Sequence, residues 1–179
     1  MGNPFVVISG LPGSGKTTLA RRLAPVLNLP LIDKDDILNR LFESKGIGNA
    51  AWRRALSRES DVILQHEATN SAGAILVSLW HLPGMPSDSG TSTDWLHASP
   101  QRLVNVQCVC EPEVAASRFV HRQRHPGHLD GESSHAEVFA SLRALARLAP
   151  LDLGQRIEVD TSVEPNLDEI VRSIGCAPS

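Results

Sequence analysis

With 179 residues, 41% of them hydrophobic and 21% charged, and a formal net charge of -3, the chain is sized for one globular domain. That composition excludes wholesale disorder, and the net negative charge lacks the broad basic field of a dedicated nucleic-acid binder. No apolar run approaches the roughly 20 residues of a membrane span, and residues 1–5 lack the basic region and cleavage site of a signal peptide.

Five β-branched or apolar runs, at residues 5–9, 30–33, 74–79, 103–110 and 156–160, alternate with segments of helical periodicity. Such alternation predicts an α/β fold: a parallel sheet with helices on both faces, its strands continuously hydrophobic because they are covered on both sides. Leu19, Leu23, Val26 and Leu27 share a helical face after the first run, and Ile37, Leu38, Leu41 and Phe42 share one after the second. A longer helix is expected from about Ala50 to Ala72, carrying Trp52, Leu56, Ile63 and Ala68 and stopped by Gly73. Pro112 suits the first turn of a helix, and Ser134 with Glu137 reads as a capping box before Val138, Leu142, Leu145 and Leu148. Leu167, Ile170, Val171 and Ile174 mark a last helix.

Two stretches carry no clear periodicity. Residues 81–100 are rich in Pro, Gly, Ser and Thr, and a loop of that length is usually functional. Residues 125–133 are polar and glycine-containing, as a moving lid would be. Cys108, Cys110 and Cys176 form an odd, sparse set without metal-ligand spacing; the first two alternate on a strand, and all are expected as buried, reduced thiols of a cytoplasmic protein.

The strongest motif is Gly10-Leu11-Pro12-Gly13-Ser14-Gly15-Lys16-Thr17, a complete GxxxxGK[ST] match between a strand and a helix. Its glycines permit a wrapped backbone whose N–H groups form an anion nest at a helix N-terminus. Lys16 can reach the β- and γ-phosphates of a nucleotide, and the Thr17 hydroxyl can coordinate Mg²⁺, with Thr18 completing the phosphate-binding run.

Asp33-Lys34-Asp35-Asp36 follows the second strand, at the carboxyl edge where open α/β sheets collect ligands. A carboxylate there can take the proton of an attacking hydroxyl; it can also simply cap the next helix. Arg118 and Arg122 share one face of a helix, with Arg124 close behind, a set suited to clamping phosphoryl oxygens. His121, His125 and His128 interleave with them, but three arginines repel a dication, which disfavours zinc. Trp80, Asp88, Ser89, Thr91, Asp94 and Trp95 lie in or beside the long loop. A tryptophan there can stack on a sugar or base, or merely anchor the loop.

These motifs resemble the small P-loop kinases of metabolites, nucleosides and antibiotics, a family that includes chloramphenicol phosphotransferase, gluconate kinase, the zeta toxins and the kinase domain of polynucleotide kinase. The resemblance covers nearly the whole chain except the middle loop. It implies a single domain over residues 1–179, with a five-stranded parallel sheet of order 2-3-1-4-5, a lid near 121–133 and a substrate loop near 81–100. It implies ATP and Mg²⁺ as cofactors, and makes Asp35 the general base, with Lys16, Arg122 and Arg124 also catalytic. Gly10, Pro12, Gly13, Ser14, Gly15, Lys16, Thr17, Thr18, Arg118 and Arg122 would hold the nucleotide. Arg118 would pack on adenine, and Thr161 and Ser162 would pass their backbone beside it. Asp33, Asp35, Trp80, Ser89, Thr91 and Trp95 are the expected acceptor contacts.

The chain departs from relatives whose third strand ends in a magnesium-holding aspartate: here that strand runs into Ser78-Leu79-Trp80-His81, which leaves the metal to Thr17, Asp33 or Asp35 and water. The expected function is an ATP-dependent phosphotransferase acting on a hydroxyl of a small molecule such as an antibiotic, sugar or nucleoside. Alternatives are a polynucleotide or RNA-end kinase, which needs a basic channel the charge disfavours, and a nucleotide-dependent regulatory ATPase without an acceptor.

Overall fold

Strand β1 (Phe5–Gly10) lies at the centre of the sheet in a computed structural model that describes residues 2–175. Its residues Phe5 to Ile8 are wholly buried, as a β-branched and aromatic run covered on both faces should be. The other strands are β2 (Leu31–Asp33), β3 (Ala74–Val77), β4 (Leu103–Val109) and β5 (Gln155–Asp160). All pairings are parallel, in the order β2-β3-β1-β4-β5. The expected strand order is therefore the observed one.

Alternation along β1 sends Val6 and Ile8 to one face, against Leu19 and Leu23 of α1 (Lys16–Leu27) and Ile170 of α7 (Leu167–Ile174). Phe5 and Val7 point the other way, against Ile37 and Leu41 of α2 (Lys34–Lys45) and Leu64 of α3 (Ala50–Thr69). A smaller apolar cluster joins α5 (Pro112–His121) to α6 (His135–Leu145). Pro112 occupies the first turn of α5, and the Ser134–Glu137 capping box opens α6 as expected.

Some expectations need correction. Strand β5 is mostly exposed, because it pairs only with β4 and forms the sheet edge. Helix α3 stops at Thr69 rather than near Ala72: the Thr69 hydroxyl and Asn70 amide bond back to the Gln65 and His66 carbonyls and end the turn before Gly73. Trp52 is 40% exposed, and its indole N–H donates to the Gly46 carbonyl, so it braces the α2–α3 turn instead of the core. Cys108 is buried, but Cys110 falls past the end of β4 and is only half-buried; Cys176 lies outside the described residues. Burial pushes the Cys108 thiol up to about 12.

The loop over 81–100 is not structureless. A short helix, α4 (Asp94–His97), places Leu96 in the core and sets the Trp95 ring edge-on to Phe5 at 6.3 Å. Thr91 forms a parallel bridge with Trp80, and the loop neck closes through His81 N–H to the Thr91 carbonyl and Thr91 N–H to the Leu79 carbonyl. Trp80 itself is 3% exposed, and its indole N–H donates to the Ile8 carbonyl at 2.9 Å. Trp80→Phe keeps the ring but forfeits this buried hydrogen bond. Denaturant unfolding should show a loss of about 1–3 kcal/mol; an unchanged midpoint would mean the bond holds nothing.

Candidate active site

The glycine-rich loop between β1 and α1 is wedged against its neighbours. A Cβ on Gly13, whose φ is +82°, would lie 2.2 Å from the Ala115 carbonyl of α5, and one on Gly10 would lie 2.5 Å from the Cys108 carbonyl of β4. Only glycine lets the loop pass that close while wrapping its amides inward. Ser14 is completely buried, and its hydroxyl has no hydrogen-bond partner among the described residues. Pro12 is partly buried, and Thr18 faces solvent.

Lys16, the first residue of α1, turns its ammonium back to donate to the Gly10 and Leu11 carbonyls at 2.9 and 2.8 Å. Burial pulls its pKa down to about 8, against the opposing pull of the Asp35 and Asp33 carboxylates. The Thr17 hydroxyl donates to Asp33 Oδ2 at 2.7 Å. Asp33 also caps α2, its Oδ1 accepting the Asp35 N–H at 2.9 Å. It is 3% exposed, and burial pushes its carboxyl up to about 6 despite those two hydrogen bonds.

Thr17 and Asp33 thus present a hydroxyl and a carboxylate oxygen side by side at the phosphate cradle. That hard-oxygen pair fits magnesium, which takes one or two protein oxygens and completes its shell with phosphate and water. Among the described residues no group of three His, Cys, Asp or Glu gathers as a metal cluster. Asp36 points away, to an exposed ion pair with Arg21.

Arg118 donates to the Thr161 carbonyl at 3.0 Å, and a Cβ on Gly15 would be 3.8 Å from Thr161 Cβ. The residues expected beside adenine therefore meet each other at the start of α1. Ser162 stays exposed, bonded to Asp160.

Past α5 the chain turns back over α2. Arg124 reaches Asp35 Oδ1 at 2.6 Å and Asp130 Oδ2 at 3.0 Å; Arg122 contacts the same Asp130 oxygen at 2.9 Å and lies 3.9 Å over the Phe119 ring. Burial, then the neighbouring Arg124, lowers Arg122 from the usual guanidinium range. His125 stacks on Phe42 and His128 meets the same ring edge-on, each at 5.3 Å. His128 Nε2 contacts Asn39 Oδ1 at 2.8 Å, and its backbone carbonyl accepts from Arg53. Burial pulls its pKa down to about 4, with the nearby Arg124 adding to the effect. His121 bonds the Ser117 carbonyl, one turn back on its own helix.

Two of the acceptor contacts expected from the long loop, Thr91 and Trp95, are engaged within the protein. Thr91 is 2% exposed, and its hydroxyl is shared by Asp61 Oδ1 at 2.6 Å, Ser78 Oγ at 2.5 Å and Lys34 Nζ at 3.2 Å. Lys34 and Asp61 are paired at 2.6 Å. The Trp95 indole donates to the Ser92 carbonyl, and the Ser89 carbonyl meets His81. The Thr91 hydroxyl and the Trp80 and Trp95 indole N–H groups therefore fasten the loop to the core and to α2 and α3. Asp130 and Asp61 went unnoticed in the sequence. A signal existed for Asp130, the first acid after three arginines, but none for Asp61 within its helix.

Strand order, cradle and capped second junction define the class of this molecule: it is a P-loop domain with the fold of the small kinases. Within that class, residues 5–80 match the AAA domain family. The chain is 38% identical over 73 residues to shikimate kinase from Corynebacterium glutamicum, covering 40% of this chain and 43% of that one. It is 40% identical over 57 residues to cytidylate kinase from Pyrobaculum islandicum, covering 32% of this chain and 31% of the relative. The chain therefore spans under half the length of these curated relatives. The crystal structure of a candidate kinase from Chloroflexus aurantiacus superposes with a TM-score of 0.81 at 25% identity, covering 98% of each chain.

Two solution measurements follow from the cradle. Burial pushes the Asp33 carboxyl up to about 6, and protonation competes with a cation there, so the tightening of nucleotide binding by magnesium should weaken as pH falls below about 6. Calorimetry with and without Mg²⁺ should show that loss in the native chain and little magnesium effect at any pH in Asp33→Asn. Near pH 8 Lys16 is partly neutral, and an arriving phosphate favours its ammonium form. Nucleotide binding there should take up protons, read as a heat that varies with buffer ionisation enthalpy. Proton release would contradict the assignment.

Proposed function

We propose that this chain moves the γ-phosphoryl group of ATP to a hydroxyl of a small molecule, with Asp35 as general base. The carrying observation is convergence: Lys16, the Thr17–Asp33 pair, Asp35 and Arg124 come from the starts of two helices and from the segment after α5, yet crowd one cradle. The relatives' names, shikimate kinase and cytidylate kinase, agree on phosphoryl transfer and disagree on the acceptor.

In this reading the cradle amides and Lys16 hold the phosphate tail, and the Arg118–Thr161 contact supplies one edge of the nucleoside site. Thr17 and Asp33 would hold magnesium, which when bound would neutralise phosphate charge. Asp35 accepts the acceptor's hydroxyl proton as its oxygen attacks. Arg122 and Arg124, aligned by Asp130, face the charge that gathers on the phosphoryl oxygens. Committing these guanidinium groups to Asp130, Asp35 and the Thr161 carbonyl leaves little of a free basic track, which speaks against a polynucleotide acceptor.

Asp35→Asn keeps the shape of the side chain and removes its capacity to accept the proton. Turnover should fall about 10²–10⁴-fold, followed by ADP release in the presence of an acceptor, while ATP affinity by calorimetry is retained. Full activity in this variant would remove Asp35 from the role.

A further inference from the structure

The Thr91 hydroxyl and the Trp80 and Trp95 indole N–H groups are spent on holding the long loop, and the acceptor needs another berth. A cavity of about 230 Å³ opens beside the phosphate cradle, and its wall includes Gly10 and Leu11, whose carbonyls receive the Lys16 ammonium. Its floor is the sheet face opposite α1, where Ser9 of β1 lies in register with Gln107 of β4. Trp80, Leu82 and Leu148, the last in the segment after α6, line the rest of it. The Lys16 ammonium bonds this wall, and the adjoining helix start carries Thr17, bonded to Asp33, whose other oxygen accepts the Asp35 N–H, so the cavity rim lies at the cradle that the two carboxylates border.

The lining chemistry is selective. Among the described residues no Lys, Arg, His, Asp or Glu lines the cavity, so a carboxylate or phosphate inside it would be a buried, unpaired charge. Most of the wall is leucine, tryptophan, valine and proline. Gln107 Oε1 is buried and has no hydrogen-bond partner among the described residues, which leaves an acceptor for one ligand N–H or O–H. The volume lies below the roughly 300–1,000 Å³ of drug-sized sites.

We infer that this cavity is the acceptor site, and that it takes a compact, uncharged, largely apolar alcohol carrying one further hydrogen-bond donor. The inference rests on the phosphotransferase reading above. The primary hydroxyl of such an alcohol lies at the Gly10–Leu11 rim and gives its proton to Asp35. Its oxygen bonds the γ-phosphorus, the bond from that phosphorus to the bridging oxygen breaks, and ADP leaves with the electron pair. The products are a phosphate monoester and ADP.

Tyrosol, a one-ring primary alcohol with a phenolic O–H, is a suitable probe. Shikimate, a carboxylate, and cytidylate, a phosphate, are the charged comparators. With ATP and Mg²⁺, the full chain should phosphorylate tyrosol with kcat/KM at least about tenfold above either comparator. Leu148→Trp and Leu82→Phe each add bulk to the cavity lining, and each should raise the tyrosol KM by about tenfold or more. Gln107→Leu should erase the advantage of tyrosol over 2-phenylethanol, which lacks the phenolic group. A preference for shikimate or cytidylate, or a tyrosol KM unmoved in both filled variants, overturns the cavity assignment and leaves the kinase reading standing. ATP binding without transfer to any of the three also overturns the assignment, whereas failure to bind ATP removes both.

Discussion

The hydroxyl–carboxylate contact between Thr17 and Asp33 spans two strand–helix junctions that are not neighbours in the sheet, because β3 lies between β1 and β2. Thr17 sits in the first turn of α1, and Asp33 is the residue that caps α2. Joining them sets the distance between the phosphate cradle and the carboxylates of the second junction. Asp33 accepts this hydroxyl and the Asp35 amide on different oxygens, so the cap of α2 and the placing of Asp35 are one arrangement. Its burial raises the cost of ionisation, a cost that a cation or an added donor at the site relieves.

The sheet and cradle were legible in the sequence because their signals are local. Five apolar runs alternating with helical periods leave few architectures open, and a glycine-rich turn between strand and helix has one common use. The capping box at Ser134 and the proline at 112 also declared themselves. The acceptor side was not legible, because a tryptophan reads alike whether it stacks on a ligand or plugs a core. Trp80 plugs the core, and nothing within five residues of it says so; the deciding partner, the Ile8 carbonyl, is 72 positions away. Likewise Thr91 and Lys34 meet across 57 positions, with Asp61 between them in sequence but on another helix. Interactions that depend on tertiary closure leave no spacing to read.

The segment after α5 shows how like charges are kept together. Arg122 and Arg124 would repel one another in a partly buried place, and Asp130 offsets this by bonding both. Beneath them, Phe42 is flanked by His125 and His128, and a Cβ on Gly127 would come within 2.5 Å of that ring. Aromatic packing below and ion pairs above hold the segment across α2, so its position is set by the same helix that carries Asp35.

Lys34 stands between Asp33 and Asp35 in the chain, yet it faces neither the cradle nor the arginines; it pairs with Asp61 and touches Thr91. Three consecutive residues thereby meet three different neighbours: Asp33 meets Thr17 at the start of α1, Lys34 meets α3 and the segment between β3 and β4, and Asp35 meets the segment after α5. Drift in the β3–β4 segment during evolution is felt one peptide bond away from both carboxylates. New acceptor preferences in such a lineage would arrive with retuned chemistry, and the two traits would be inherited as one.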